Sequence, residues 1–165
     1  MGKKAVKMVF MSALSVIFIL SGLAYGAENL PAISASSSGA GHTPPRAFDG
    51  STEADDFWEA ETGGFPQWVL LSYAMRAKIV KYELQAGDFE LDRMPKEWKF
   101  EGSNDGAAWL TLDERKDQSG WKSYETRAYK VAKPADYLHY RFYFIAGNAP
   151  LVRVYEIKVT ESNGI

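Results

Sequence analysis

From residue 67 onward the chain is a series of short apolar runs separated by turn residues, and several runs alternate apolar and polar positions with the period of a half-buried β-strand. Trp98, Phe100 and Gly102 alternate with Lys99 and Glu101, and Ser103-Asn104-Asp105-Gly106 follows as a tight polar turn. Asx side chains in such a turn bond back to the backbone, and the glycine accepts positive φ. The pattern predicts a hairpin over Lys96 to Gly102 and Trp109 to Leu112. It also predicts strands over Gln67 to Tyr73, Lys78 to Ala86, Arg127 to Val131, Tyr137 to Ile145 and Val152 to Thr160, with Ile79, Tyr82 and Leu84 inward. In the last run Val152, Val154, Glu156 and Lys158 alternate with Arg153, Tyr155, Ile157 and Val159, so neither face is cleanly apolar. No helical period of any length and no internal repeat interrupts the series. About eight strands at this spacing imply an all-β, antiparallel β-sandwich.

The N-terminus has a different pattern. Lys3, Lys4 and Lys7 precede an uncharged apolar run from Met8 to Leu20, and Ala24-Tyr25-Gly26 places small residues before Ala27. That order reads as a secretory signal peptide over residues 1–26, leaving one domain over 27–165. By length alone Met8 to Ala27 also suffices for an uncleaved anchor, although Ser12, Ser15, Ser21 and the glycines weaken it as a permanent span. Either way the domain is expected outside the cytoplasm, secreted or held in the periplasm or cell envelope.

Export changes the charge picture. Cleavage takes three lysines from the 19 basic residues and none of the 21 acids, leaving 16 against 21 and a net charge of −5. That balance argues against nucleic acid, whose affinity comes largely from neutralised phosphates, and against electrostatic docking on anionic lipid. The chain has no cysteine, so core burial or a bound metal must do what disulfides do in many secreted domains.

Nothing in the sequence forms a catalytic signature: there is no Cys nucleophile, Gly-x-Ser-x-Gly elbow or phosphate-cradling loop. The two histidines, His42 in a Gly-His-Thr-Pro-Pro loop and His139 in a strand-like run, are too few for a His-based zinc site. Asp55, Asp56, Glu59 and Glu61 cluster, which leaves a glycosidase pair compatible with composition. Clustered acids on a loop are more commonly a solvated face or a metal site, and the expectation is a binding domain, not an enzyme.

The hairpin also carries a likeness. Pro95-Lys96-x-Trp98-x-x-x-Gly102-Ser103-Asn104-Asp105-Gly106-x-x-Trp109-x-x-Leu112 resembles the signature of the discoidin, or coagulation factor 5/8 type C, family, including members similar to carbohydrate-binding module family 32. The resemblance implies a jelly roll over essentially the whole mature chain, with Ala35-Ser36-Ser37-Ser38 in the first edge segment. It implies a structural calcium ion as well. Arg46-Ala47-Phe48-Asp49-Gly50-Ser51 is similar to the family's metal loop, and Val154-Tyr155-Glu156-Ile157 to its late strand. The implied ligands are the Arg46 and Ser51 carbonyls and the carboxylates of Asp49 and Glu156. Asp56 stands where the family has a Thr, because the loop from Asp49 to Trp58 is two residues longer here. Hard oxygens of this mixed kind suit calcium, and Gly50 permits the bend that turns carbonyls inward.

The resemblance further implies that ligands bind at one end of the sandwich. Glu59 stands where galactose-binding members have a His, and the loop from Gly87 to Pro95 carries Arg93 but no Asn, so galactose is not the expected sugar. The candidate contacts are Glu59, Phe65, Arg93 and Asn148, since acids, amides and Arg bond vicinal hydroxyls while an aromatic covers an apolar sugar face. Each has a plainer role: Phe65 as a lid on the sandwich, Arg93 in a salt bridge with Glu90 or Asp92, Asn148 in a turn. Trp58 is expected in the core. The expected partner is an extracellular glycan or a cell-surface protein. The alternative function is a protein–protein adhesion or assembly module of the envelope. Weak monovalent sugar affinity makes an oligomer or a separate partner plausible.

Overall fold

The computed structural model describes residues 29–51 and 53–162, so the expected signal peptide over 1–26 lies outside the described residues. Nine strands run through those residues: β1 (Ala32–Ala35), β2 (Trp58–Glu59), β3 (Gln67–Gln85), β4 (Pro95–Ser103), β5 (Leu110–Arg115), β6 (Thr126–Lys130), β7 (Asp136–Gly147), β8 (Arg153–Val154) and β9 (Glu156–Glu161). All pairings between them are antiparallel.

The two strands expected over 67–73 and 78–86 are a single strand, β3. No glycine or proline separates them, so the chain stays extended and absorbs the change as a register shift between Ser72 and Ala77. There Ala74, Met75 and Arg76 are exposed. Before the shift β3 pairs with β1 and β7; beyond it β3 keeps β7 to Lys78 and then lies between β6 and β9. One strand therefore serves two sheets, a five-stranded layer in the order β1-β3-β7-β4-β5 and a three-stranded layer β6-β3-β9. The last expected strand divides instead. β8 leaves the layer to pair with β2 through Trp58 and Val154, and β9 returns to β3. Its uneven alternation has this cause: residues 152–155 are buried on both sides.

The core is aromatic. Tyr82, Trp98, Phe100, Tyr140, Phe142 and Phe144 are fully buried between the layers, with Ile79 and Leu84 beside them as expected. Truncating one of the large rings to Ala costs about 3–5 kcal/mol. Their polar tips are satisfied: the Tyr82 hydroxyl donates to Asp113 Oδ2 at 2.7 Å and accepts from Trp98 Nε1 at 3.0 Å. Trp58 is in the core as expected, fully buried, its indole N–H donating to the Ser37 carbonyl at 3.0 Å.

The hairpin turn forms as its residues dictate. Asp105 Oδ1 accepts the Ala107 and Ala108 amides at 2.9 and 2.8 Å, and Gly106 has φ +70°. Gly102 is obligatory for another reason, because the Tyr137 ring lies where its Cβ would be. At the far end from this turn, the segments 60–66, 87–94, 116–125 and 147–152 are tied together. Ala60 N–H donates to Val152 O, Gly64 N–H to Pro150 O, and Tyr124 N–H to Gly87 O.

Candidate functional site

Glu59 and Arg93, 34 residues apart, meet at this tied end. The Arg93 guanidinium donates to Glu59 Oε2 at 2.8 Å and reaches Glu90 Oε1 at 2.6 Å. Arg153 lies on the other side of the same acids, donating to Glu59 Oε2 and to Glu90 Oε2, both at 2.8 Å. It is only 4% exposed and is stacked on the Phe57 ring at 3.8 Å and near Phe89 at 4.9 Å. Two acids and two guanidiniums thus form a closed, charge-balanced network over an aromatic floor. Burial alone would raise the Glu59 carboxyl, but hydrogen bonds from Arg93 and Arg153 outweigh it and hold the group below its usual range. A carboxyl held in that direction is a fixed acceptor, not a proton donor.

Asn148 is one loop away. With Asp92, Leu91, Gly120 and Trp121 it lines an open cleft of about 300 Å³. The Trp121 ring is 6% exposed and carries the Arg127 guanidinium at 3.9 Å from its centroid. Phe65 is half-buried against the core and packs on Gly147, so it lids the sandwich beside Asn148. The fold therefore brings all four expected ligand contacts to one end, with Glu59 and Arg93 bonded to each other. Arg153, Glu90 and Trp121 were not among the expected contacts. Arg153 had a signal, being a lone cation inside the apolar run 151–155. Such a residue stays buried only when acids come to meet it.

The clustered acids have different surroundings. Glu59 is held by two arginines, Asp56 by Arg46, and Asp55 and Glu61 are exposed. His42 stacks on Phe57 at 4.0 Å and stands 3.9 Å from Asp55, with its Nδ1 buried and unbonded among the described residues. His139 Nδ1 meets Ser72 Oγ at 3.1 Å on the outer face of the sheet.

The residues expected to hold calcium lie where the loop after residue 45 meets the start of β9. Gly50 takes φ +82°, and its amide donates to Glu156 Oε2 at 3.1 Å across 106 residues of sequence. Asp49 Oδ1 accepts the Ser51 amide at 2.9 Å. The Arg46 side chain donates to Asp56 Oδ1 at 3.2 Å and to the Asp55 carbonyl at 2.8 Å. Burial pushes the Glu156 carboxyl up to about 7; the Gly50 amide opposes this, while Asp49 and Asp56 add to it. Among the described residues no three acidic or histidine side chains converge as a metal cage. The set fits a cation in charge and donor type, because the acids repel one another, but the Arg46 and Ser51 carbonyls would have to complete the shell.

Residues 32–157 match the F5/8 type C domain family. The chain belongs to that family. Structurally, this F5/8 type C domain is like family 32 carbohydrate-binding modules. It superposes on CpGH89CBM32-5 of Clostridium perfringens, in complex with GalNAc-β-1,3-galactose, with a TM-score of 0.64 and 17% identity, covering 78% of this chain and 94% of that one. Chitosan-binding module 1, from a chitosanase/glucanase of Paenibacillus sp. IK-5, gives a TM-score of 0.63 and 21% identity over 80% of this chain and 95% of the other. A peptide-N(4)-(N-acetyl-beta-glucosaminyl)asparagine amidase of Arabidopsis thaliana is 32% identical over 102 residues, 58% of this chain. The chain spans 14% of that enzyme's length.

Proposed function

We propose that this F5/8 type C domain is an exported, non-catalytic module that binds an extracellular or cell-surface glycan at its tied loop end. The observation that carries the reading is the convergence there of Glu59, Arg93, Asn148 and Phe65, around an ion network with aromatic floors. The network fixes its acceptors and donors without leaving a net charge, which suits the hydroxyls of an uncharged sugar. Exposed Phe89 supplies apolar surface beside it. The ligands named for the similar solved structures, a GalNAc-galactose disaccharide and chitosan, are carbohydrates. Glu59 in place of a His points away from galactose itself.

A structural calcium ion is the second part of the proposal, held by the Arg46 and Ser51 carbonyls with the Asp49, Asp56 and Glu156 carboxylates. It would tie the loop after residue 45 to β9, supplying positive charge to a cluster that has too little. Residues 1–26 would deliver the domain outside the cytoplasm as a signal peptide.

A glycan array probed with the protein, with calcium and with chelator, tests the reading. Binding to a defined sugar class that is lost in Arg93→Ala and Asn148→Ala is the expected result. A blank array from folded protein would overturn it. Exposed Phe89 and Tyr124 at the same end would then direct the search to a protein partner.

A further inference from the structure

The outer face of the five-stranded layer is not the plain polar surface that a solvated sheet presents. Reading across the strands, Trp68 of β3 is opposite Tyr143 of β7, which is opposite Lys99 of β4. In the next row Leu70 is opposite Arg141, which is opposite Glu101, which is opposite Thr111. Trp109, at the end of the hairpin turn, folds back over this second row. The Arg141 guanidinium lies 4.2 Å from the Trp109 ring centroid and 4.5 Å from that of Tyr143. Its Nε donates to Glu101 Oε2 at 2.7 Å, and Glu101 is 6% exposed beneath it. Packing and that single bond hold the guanidinium plane, while its two terminal nitrogens make no hydrogen bond among the described residues. With Trp68, Leu70, Gly106 and Trp109, Arg141 lines a crevice of about 170 Å³.

We propose that this face is a second binding surface, distinct from the loop end, and that it takes a uronate-bearing polysaccharide. Local charge and shape, set against the acidic balance of the whole domain, select that occupant. The free edge of a guanidinium donates two parallel hydrogen bonds to a carboxylate, and among the described residues Arg141 is the one charged residue lining the crevice. Trp68 and Leu70 offer apolar surface to the ring that carries the carboxylate. Lys99 has no ion-pair partner among the described residues and stands two strands from Trp68, about 10 Å away. That places it to meet a carboxylate further along the same polymer. Of the acids nearby, Glu114 stands opposite Lys99, and Asp105 precedes Gly106 with its carboxylate taken up by Ser103 and the Ala107 and Ala108 amides. Glu101 is bonded to Arg141 and Thr111, Glu114 pairs with Lys116, and Glu97 lies one position further out, opposite Ala146. A flat protein partner would be expected to meet a larger apolar patch than these half-buried rings provide.

The surface stands independently of the loop-end reading, and one experiment separates them. Affinity electrophoresis of the protein is run in gels containing polygalacturonate, and in gels containing its methyl-esterified form. Retardation by polygalacturonate alone is expected, weakened about tenfold in Trp68→Ala and in Lys99→Gln, and unchanged in Arg93→Ala. Both substituted side chains are outside the core, so the fold persists, and thermal unfolding checks it. Retardation lost in Arg93→Ala but kept in Trp68→Ala would assign the binding to the loop end and overturn the inference. So would equal retardation in both gels. Absence of retardation would overturn it too, as would sedimentation showing self-association abolished by Trp68→Ala without polygalacturonate binding. Each of these leaves the glycan-array test of the loop end untouched.

Discussion

Two clusters of acids on this one domain have opposite electrostatics. At the loop end Glu59 and Glu90 are each met by two guanidiniums, and the Glu59 carboxyl is held below its usual range. Where the loop after residue 45 meets β9, Asp49, Asp56 and Glu156 share one guanidinium, Arg46 on Asp56, and Glu156 is pushed up to about 7. Both clusters bring together residues distant in sequence. The first neutralises itself and so can act as a rigid rim; the second retains a surplus of negative charge, which is the physical argument for a cation there.

The comparison breaks most severely at Arg153. Removing one partner of a buried ion network leaves the others charged and unpaired, so Arg153→Ala is expected to cost about 3–5 kcal/mol. Urea unfolding of the protein measures it. A loss under 1 kcal/mol would mean that solvent already screens the network.

The acidic cluster responds in the other direction. With chelator present, folded Glu156 keeps its proton up to about pH 7, whereas the unfolded chain loses it near pH 4.5. The folded state binds more protons in that window, so stability falls as pH rises from about 4.5 to 7. The side chain is partly solvated, which reduces the effect to about 1–2 kcal/mol. Glu156→Gln, lacking the charge, should remove that slope and be the more stable protein at pH 7.5 in chelator. Glu59 has the reverse sign: its folded carboxyl is depressed, so its contribution is present above about pH 4.5 and lost as pH falls below that. Thermal melts between pH 3.5 and 8 separate the two slopes, and parallel slopes in the wild type and Glu156→Gln would dissolve the distinction.

Much of this was legible in the sequence where a residue answers to one local demand. Trp98, Phe100 and Gly102 alternate because one face of β4 is core, and Ser103 to Gly106 make their turn from their own side chains. The resemblance carried by those residues placed the chain in its family. What the local pattern could not show was set by distant partners. The bulge in β3 has no breaker residue to announce it, and Arg153 reads as an error in an apolar run until Glu59 and Glu90 arrive from 94 and 63 residues away. That Glu59 and Arg93 bond to each other was not legible from residue types.

The smallest expected effect is a control. Lys116 and Glu114 form an exposed pair at 3.4 Å, outside both clusters. Lys116→Gln is expected to change stability by less than about 0.5 kcal/mol. A larger loss in a melt would show that surface charge in general, and not the arrangement of the two clusters, governs stability.

Calcium titration by calorimetry at pH 7 decides between the two clusters. One binding event is expected in the wild type, abolished by Glu156→Gln and by Asp49→Asn and retained in Glu59→Gln. No binding heat, or heat that survives Glu156→Gln, would contradict the proposed cation site and leave the surplus charge of that cluster without a partner.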